Sequence, residues 1–190
     1  MTSQTILCAL LALAAVPAWA DEVGQYAAES RAIVTPFMQQ LMAENRKAIM
    51  EGGLESAIGV CKKIAPRMAG DISRQHGIRL TRVSLKVRNP LLGTADAWEQ
   101  ETLQQFEARL AKGEKPEALE AAEIVSEPNG RYFRYMKGIV LQQGCVACHG
   151  TSEQMSAKVK ARLTEDYPYD QATGYTPGQL RGGVSIKRRL

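Results

Sequence analysis

The chain has 190 residues, 24 basic against 20 acidic side chains for a net charge of +4, and 45% hydrophobic residues. That length and apolar content suit one folded domain with a sizeable core, and the positive excess is too small and too dispersed to form a nucleic-acid footprint. No internal repeat or low-complexity segment occurs, and the densest basic group, Lys187-Arg188-Arg189, reads as a solvated tail.

In chain order the first readable segment is a leader. Ile6 to Val16 is apolar, Pro17 follows, and Ala18-Trp19-Ala20 precedes the first charges, Asp21 and Glu22. This predicts a cleaved signal peptide over residues 1–20, loss of Cys8 with it, and a periplasmic mature protein formed by residues 21–190 as a single domain. The apolar run falls short of the roughly 20 residues that cross a bilayer, and no second one follows, so no membrane span is expected in the mature protein.

Residues 22 to 51 read as a long helix with an apolar stripe through Ile33, Phe37, Leu41 and Met42, closed by Gly52-Gly53. A second helix carries Leu54, Ala57, Ile58, Cys61, Ala65, Met68 and Ile72 at spacings of three and four, with Pro66 as a kink point, and stops at Gly77. Alternation of Val83, Leu85 and Val87 with polar residues predicts a strand from Leu80 to Val87. Asp96 as N-cap and Glu99 three residues on open a helix to Ala111 that buries Trp98, Leu103, Phe106 and Leu110. Pro128-Asn129-Gly130 joins strands Ala122 to Ser126 and Arg131 to Leu141 as a hairpin. A short helix near 152–164, a Pro- and Gly-punctuated loop and a last strand around 183–186 complete the chain.

One stretch prescribes chemistry. Cys145-Val-Ala-Cys148-His149 has the C-x-x-C-H spacing that attaches a c-type haem: two thiols form thioethers to the porphyrin vinyl groups, and the adjacent imidazole ligates the iron. A zinc half-site would need a second pair of ligands, and the sequence contains no other C-x-x-C and no H-x3-5-H. A thioredoxin-type dithiol would be expected early in a domain near a βαβ unit. The expected cofactor is therefore one covalent haem c. The late position of the motif, with Met155 as the only methionine after it, does not fit the small electron-carrying cytochromes that place a methionine ligand far downstream.

For the second axial position the residues leave several candidates: Cys61, His76, a methionine, a lysine, or nothing. Cys61 is the thiol left unpaired once the motif is used, and it falls on the apolar face of its helix, where a cysteine is ordinarily an inert small hydrophobe. His76 precedes Gly77 at a helix end, where an imidazole is accounted for by the helix dipole.

Several segments together carry a family resemblance. They are Ala57 through Cys61, Ala65-Pro66, Thr81 through Pro90, Trp98-Glu99, Arg131-Tyr132-Phe133, Gly144 through Gly150, and Tyr167-Pro168 through Gly182. Residues from about 29 to 188 resemble the bacterial c-type-haem-binding, PAS-like domain that occurs as a stand-alone secreted protein and as the external sensing module of membrane histidine kinases. The resemblance implies an α+β fold, a PAS-like antiparallel sheet flanked by long N-terminal helices. It also implies iron held between His149 and Cys61. The sequence departs at Leu91-Leu92-Gly93 and has no kinase segment.

A thiolate ligand favours ferric iron, so such a haem should have a low reduction potential, and a bond weakened on reduction would open a site for carbon monoxide or nitric oxide. The expected function is a periplasmic redox or diatomic-gas sensor acting on a signalling or redox partner. An electron-transfer cytochrome c is the alternative, and no enzyme is expected, because no nucleophile, base and acid constellation stands beside the motif. Arg82, Arg88, Arg131 and Arg181 lie in the family-like segments and are the expected haem-propionate contacts.

Overall fold

The computed structural model describes residues 18–190, with side chains described from residue 22 onward. The expected leader, Cys8 included, lies outside the described residues except for Ala18-Trp19-Ala20, whose backbone begins the first helix.

Helix α1 runs Ala18–Gly59 and is broken where the sequence places two glycines. Gly52 (φ −149°) and Gly53 (φ 76°, ψ −174°) leave helical geometry, and the second value is one that a residue with a Cβ rarely adopts. The next turn, Val60–Ile64, is a π turn closed by the Ala65 N–H donating to the Val60 carbonyl, and α2 continues from Ala65–His76. Pro66, expected to kink the helix, stands in the first turn of α2, directly after this widened turn. Proline has no N–H to give the carbonyl four residues back, and an extra residue in the preceding turn accommodates its ring.

Strand β1 is Arg79–Val83, shorter than the expected Leu80 to Val87. It ends because the Ser84 hydroxyl donates to the Arg181 carbonyl at 2.8 Å and accepts the Lys86 N–H at 3.2 Å, which turns the chain out of the sheet. The one-turn helix α3, Pro90–Gly93, follows and is capped by Asn89. Helix α4, Ala97–Ala111, opens with the expected capping box: the Asp96 carboxylate accepts the Glu99 N–H while Glu99 accepts the Asp96 N–H.

Strands β2 (Glu120–Glu127) and β3 (Gly130–Val140) form the expected hairpin, paired from Glu120 with Lys137 to Glu127 with Gly130. The motif helix α5 is Val146–His149, and α6 is Ala157–Asp166, starting later than expected because Ser156 is its N-cap. The last strand, β4, spans Leu180–Arg189. It was expected to be a short terminal strand but lies inside the antiparallel sheet, whose order is β1-β4-β3-β2.

The sheet has a core on each face. On one, Phe37 and Leu41 of α1 and Ala65 of α2 pack on Leu80, Phe133, Tyr135, Val184 and Ile186. On the other, Leu103 and Phe106 of α4 pack on Val83, Leu119, Met136 and Leu180. Strand alternation accounts for the split, since Phe133 and Tyr135 point one way and Met136 the other. Phe106 and Phe133 are fully buried as expected, whereas Trp98 is half-buried, with its indole N–H donating to Glu123. The fold is α+β, and no helix among the described residues is long and apolar enough to cross a membrane.

Candidate functional site

The C-x-x-C-H motif stands where β3 leaves the sheet, and both its thiols take part in packing. Cys145 and Val146 lie against Leu141, Ala172 and Tyr175. Cys148 lies against a second cluster formed by Ile58 of α1, Met155, and Val159, Leu163 and Tyr167 around α6. Gly150 closes the motif by close approach. A Cβ there would stand 2.4 Å from the Gln154 side-chain oxygen and 2.6 Å from the Val146 carbonyl, so the chain can pass only without one.

The loop from 170 to 175 clamps the motif. Tyr175 N–H donates to the His149 carbonyl at 2.9 Å, and Gly174 N–H donates to the Gly150 carbonyl at 2.8 Å. His149 Nδ1 is 2.8 Å from the Ala172 carbonyl and 3.2 Å from Arg181 Nε. A carbonyl can only accept, so the shorter contact requires Nδ1 to carry the proton, and the Arg181 approach is then one donor beside another. This tautomer leaves the Nε2 lone pair free, which is the arrangement of a metal-binding imidazole fixed by an outer carbonyl. Burial pushes the His149 pKa down to about 3, with Arg88 and Arg181 adding to the shift, so the ring is neutral at ordinary pH.

The four candidate arginines separate into different roles. Arg88 is committed to the protein. Its Nε donates to Asp170 at 3.0 Å, its Nη2 donates to the Cys148 and Ala172 carbonyls, and the Arg88 and Asp170 side chains are only 10% and 9% exposed. Arg181 donates to the Ser84 hydroxyl at 2.8 Å and stacks over Tyr175. Burial, opposed by Tyr175 and reinforced by Arg88 and Arg82, lowers its proton affinity. Arg82, on β1, acts electrostatically on His149, Tyr167 and Arg181. Among the described residues neither Arg82 nor Arg181 has an ion-pair partner, so the site holds excess positive charge. Arg131 stands apart from the other three. It lies at the hairpin end of β3, paired with Ser126 and 3.9 Å from Glu22, nine residues and about 30 Å of strand from the end that leads to the motif.

Cys61 lies in the π turn, half-buried, with the Asn45 amide nitrogen 3.9 Å from its sulfur. Burial pushes the Cys148 thiol pKa up, Arg88 opposes this, and Cys61 adds to it. Burial and then Cys61 likewise raise the Tyr167 pKa. Cys61 is therefore an electrostatic neighbour of the motif although 84 positions of chain lie between it and Cys145. Its neighbour Lys62 ties the π turn to α6 through Asp166 at 2.6 Å. His76 is exposed at the end of α2, and Met155 is buried beside Cys148. The sequence reading gave no site role to Asp170, Ala172 or Asn45, although the first two fall in the 167–182 segment that carries the family resemblance, which was the available signal for them.

The Tll0287-like family model matches residues 15–188. The chain belongs to the Tll0287-like family. The crystal structure of the cyanobacterial haem protein Tll0287 superposes with a TM-score of 0.60 at 24% identity, covering 85% of this chain and 96% of that one. At that identity the likeness establishes a shared fold. No curated protein matches the sequence. The chain thus offers two motif thiols, a neutral imidazole with its Nε2 lone pair available, Cys61 from the π turn between α1 and α2, and two arginines, Arg82 of β1 and Arg181 of β4, that have no ion-pair partner among the described residues, a donor set suited to anchoring and ligating a metal-bearing, anionic group.

Proposed function

We propose that this chain is a periplasmic monohaem c-type protein. In this reading Cys145 and Cys148 would attach the haem, His149 and Cys61 would ligate its iron, and the protein works as a redox or diatomic-gas sensor. The observation that carries the reading is His149 beside the two motif thiols, with its Nδ1 donating to the Ala172 carbonyl at 2.8 Å so that Nε2 stands ready as a ligand; Cys61 lies in a π turn, a feature that recurs at functional sites, and acts on the charge of Cys148. The relative of known structure is a haem protein, which supports the same cofactor here.

The residues present fit the group. The motif offers two thiols and an imidazole whose Nδ1 is held by Ala172, so Nε2 is oriented as a ligand before the haem arrives. Among the described residues Arg82 and Arg181 have no carboxylate ion-pair partner, and they would pair with the haem's two propionates. Bound haem supplies an iron that changes oxidation state and can take up a small gas. Around it, Arg88 and Asp170 lock the motif turn, Ala172 fixes the imidazole tautomer, and the cluster of Ile58, Met155, Val159 and Tyr167 keeps water from the Cys148 side. A thiolate ligand stabilises the ferric state and lowers the potential, which favours sensing over high-potential electron carriage. No nucleophile, base and acid constellation stands beside the motif, so the reading is non-enzymatic.

Expression of the full chain with a c-haem maturation system tests this. The secreted protein should hold one haem that survives acid-acetone extraction, and Cys145→Ala/Cys148→Ala should lose it. Cys61→Ser should remove the thiolate-type ferric spectrum, raise the midpoint potential and speed the binding of carbon monoxide to the ferrous form. An extractable haem would overturn the attachment, and an unchanged Cys61→Ser spectrum would overturn the axial assignment.

A further inference from the structure

The Asn45 amide nitrogen lies 3.9 Å from the sulfur of Cys61 across 16 positions of chain. On an unbroken helix 16 residues span about 24 Å, so this contact exists only because Gly52 and Gly53 break α1 and fold its last turns back. Among the described residues the amide has no other hydrogen-bonding partner. The distance is long for a neutral thiol, a weak acceptor, but an anionic sulfur accepts more strongly and draws its donor closer. The contact is thus worth more when Cys61 is a thiolate than when it is a thiol.

We propose that Asn45 is a positioning residue for Cys61: its side-chain N–H donates to the thiolate, orients it toward the metal and raises the reduction potential. This rests on the reading of Cys61 as an axial ligand. The physical basis is charge. A donor on sulfur withdraws electron density that would otherwise go to iron, so the ferric state loses part of its preference, and hydrogen bonding around a cysteine ligand is an established lever on redox potential. The Gly52-Gly53 break and the π turn are then two parts of one device, the first delivering the donor and the second presenting the acceptor.

The test uses the haem-loaded mature protein with Asn45→Leu, Asn45→Gln and Cys61→Ser, read by spectroelectrochemistry and by the thiolate-to-iron charge-transfer band. Loss of one hydrogen bond to a charged group should move the ferric-to-ferrous equilibrium toward ferric about tenfold, roughly 59 mV for a one-electron couple, and shift the band to longer wavelength. Asn45→Gln, which keeps a donor, should recover part of both shifts. Asn45→Asp keeps the shape and replaces the donor with an anionic oxygen, so its potential should fall further, and it serves should the leucine variant fail to fold. If Cys61→Ser changes the spectrum while the Asn45 variants leave potential and band at wild-type values, Asn45 has no hold on the ligand and the inference is wrong. If Cys61→Ser changes nothing, the axial assignment fails first and this inference falls with it.

Discussion

Replacing Arg88 by methionine removes the brace that joins the motif turn to the 170–175 loop. Both members of the Arg88–Asp170 pair are about nine-tenths buried, and Asp170 also accepts the Ala172 N–H at 2.8 Å. Truncating one partner leaves a buried carboxylate without its counter-charge and removes the donor from the Cys148 and Ala172 carbonyls, a loss of about 3–5 kcal/mol. With a urea dependence of about 2 kcal/mol/M, the unfolding midpoint should fall by roughly 1.5–2.5 M. Urea titration followed by far-ultraviolet circular dichroism measures this, with wild type and variant compared in the same cofactor state. The double change Arg88→Met/Asp170→Leu removes both charges and should recover most of the loss, because an apolar pair of similar volume carries no uncompensated ion. A single variant within about 0.5 kcal/mol of wild type would refute the assignment of Arg88 as a structural brace and return it to the set of propionate contacts. A double variant as unstable as the single would show that packing, not charge, holds the turn.

Gly150→Ala places a methyl group into the Val146 carbonyl and the Gln154 side chain, so covalent haem yield, read by haem staining of the denatured protein, should drop severalfold; a normal yield would show that the turn has room. The haem-free chain, made as Cys145→Ala/Cys148→Ala, should lose stability as the pH falls from about 6.5 to about 3. In that window the unfolded chain protonates His149 while the folded chain keeps it neutral, which costs up to about 1.4 kcal/mol per pH unit and stops once both states are protonated. The carboxylates contribute their own acid dependence, so the measurement is the difference between this chain and the same chain with His149→Leu, and parallel pH curves for the two would refute the buried neutral imidazole.

Much of the local architecture was legible along the chain because its causes are local. Asp96 and Glu99 stand three residues apart and cap each other, Gly52-Gly53 break a helix through their own backbone freedom, and Pro128-Asn129-Gly130 turns the hairpin. Where local signals misled, a distant partner intervened. Leu85 and Val87 continue the alternation of β1, yet the strand ends at Val83 because Ser84 bonds to Arg181, 97 positions away. The C-terminal strand looked short because its glycines and basic residues are weak strand formers, but as β4 it gains partners on both edges and runs for ten residues.

The site divides along the same line. Cys145, Cys148 and His149 were legible as a candidate set from the sequence alone, since two thiols and an imidazole within five residues need no tertiary contact to be brought together. The fate of the four arginines was decided only by the folded chain. They look alike in sequence, and what distinguishes a brace to Asp170 at Arg88, a donor to Ser84 at Arg181 and a hairpin residue at Arg131 is the group that packing brings to each guanidinium. Asp170 meets Arg88 across 82 positions and Asn45 meets Cys61 across a broken helix. Such partners are set by how helices and strands pack, and packing follows from the summed burial of two cores, which no local stretch of sequence encodes.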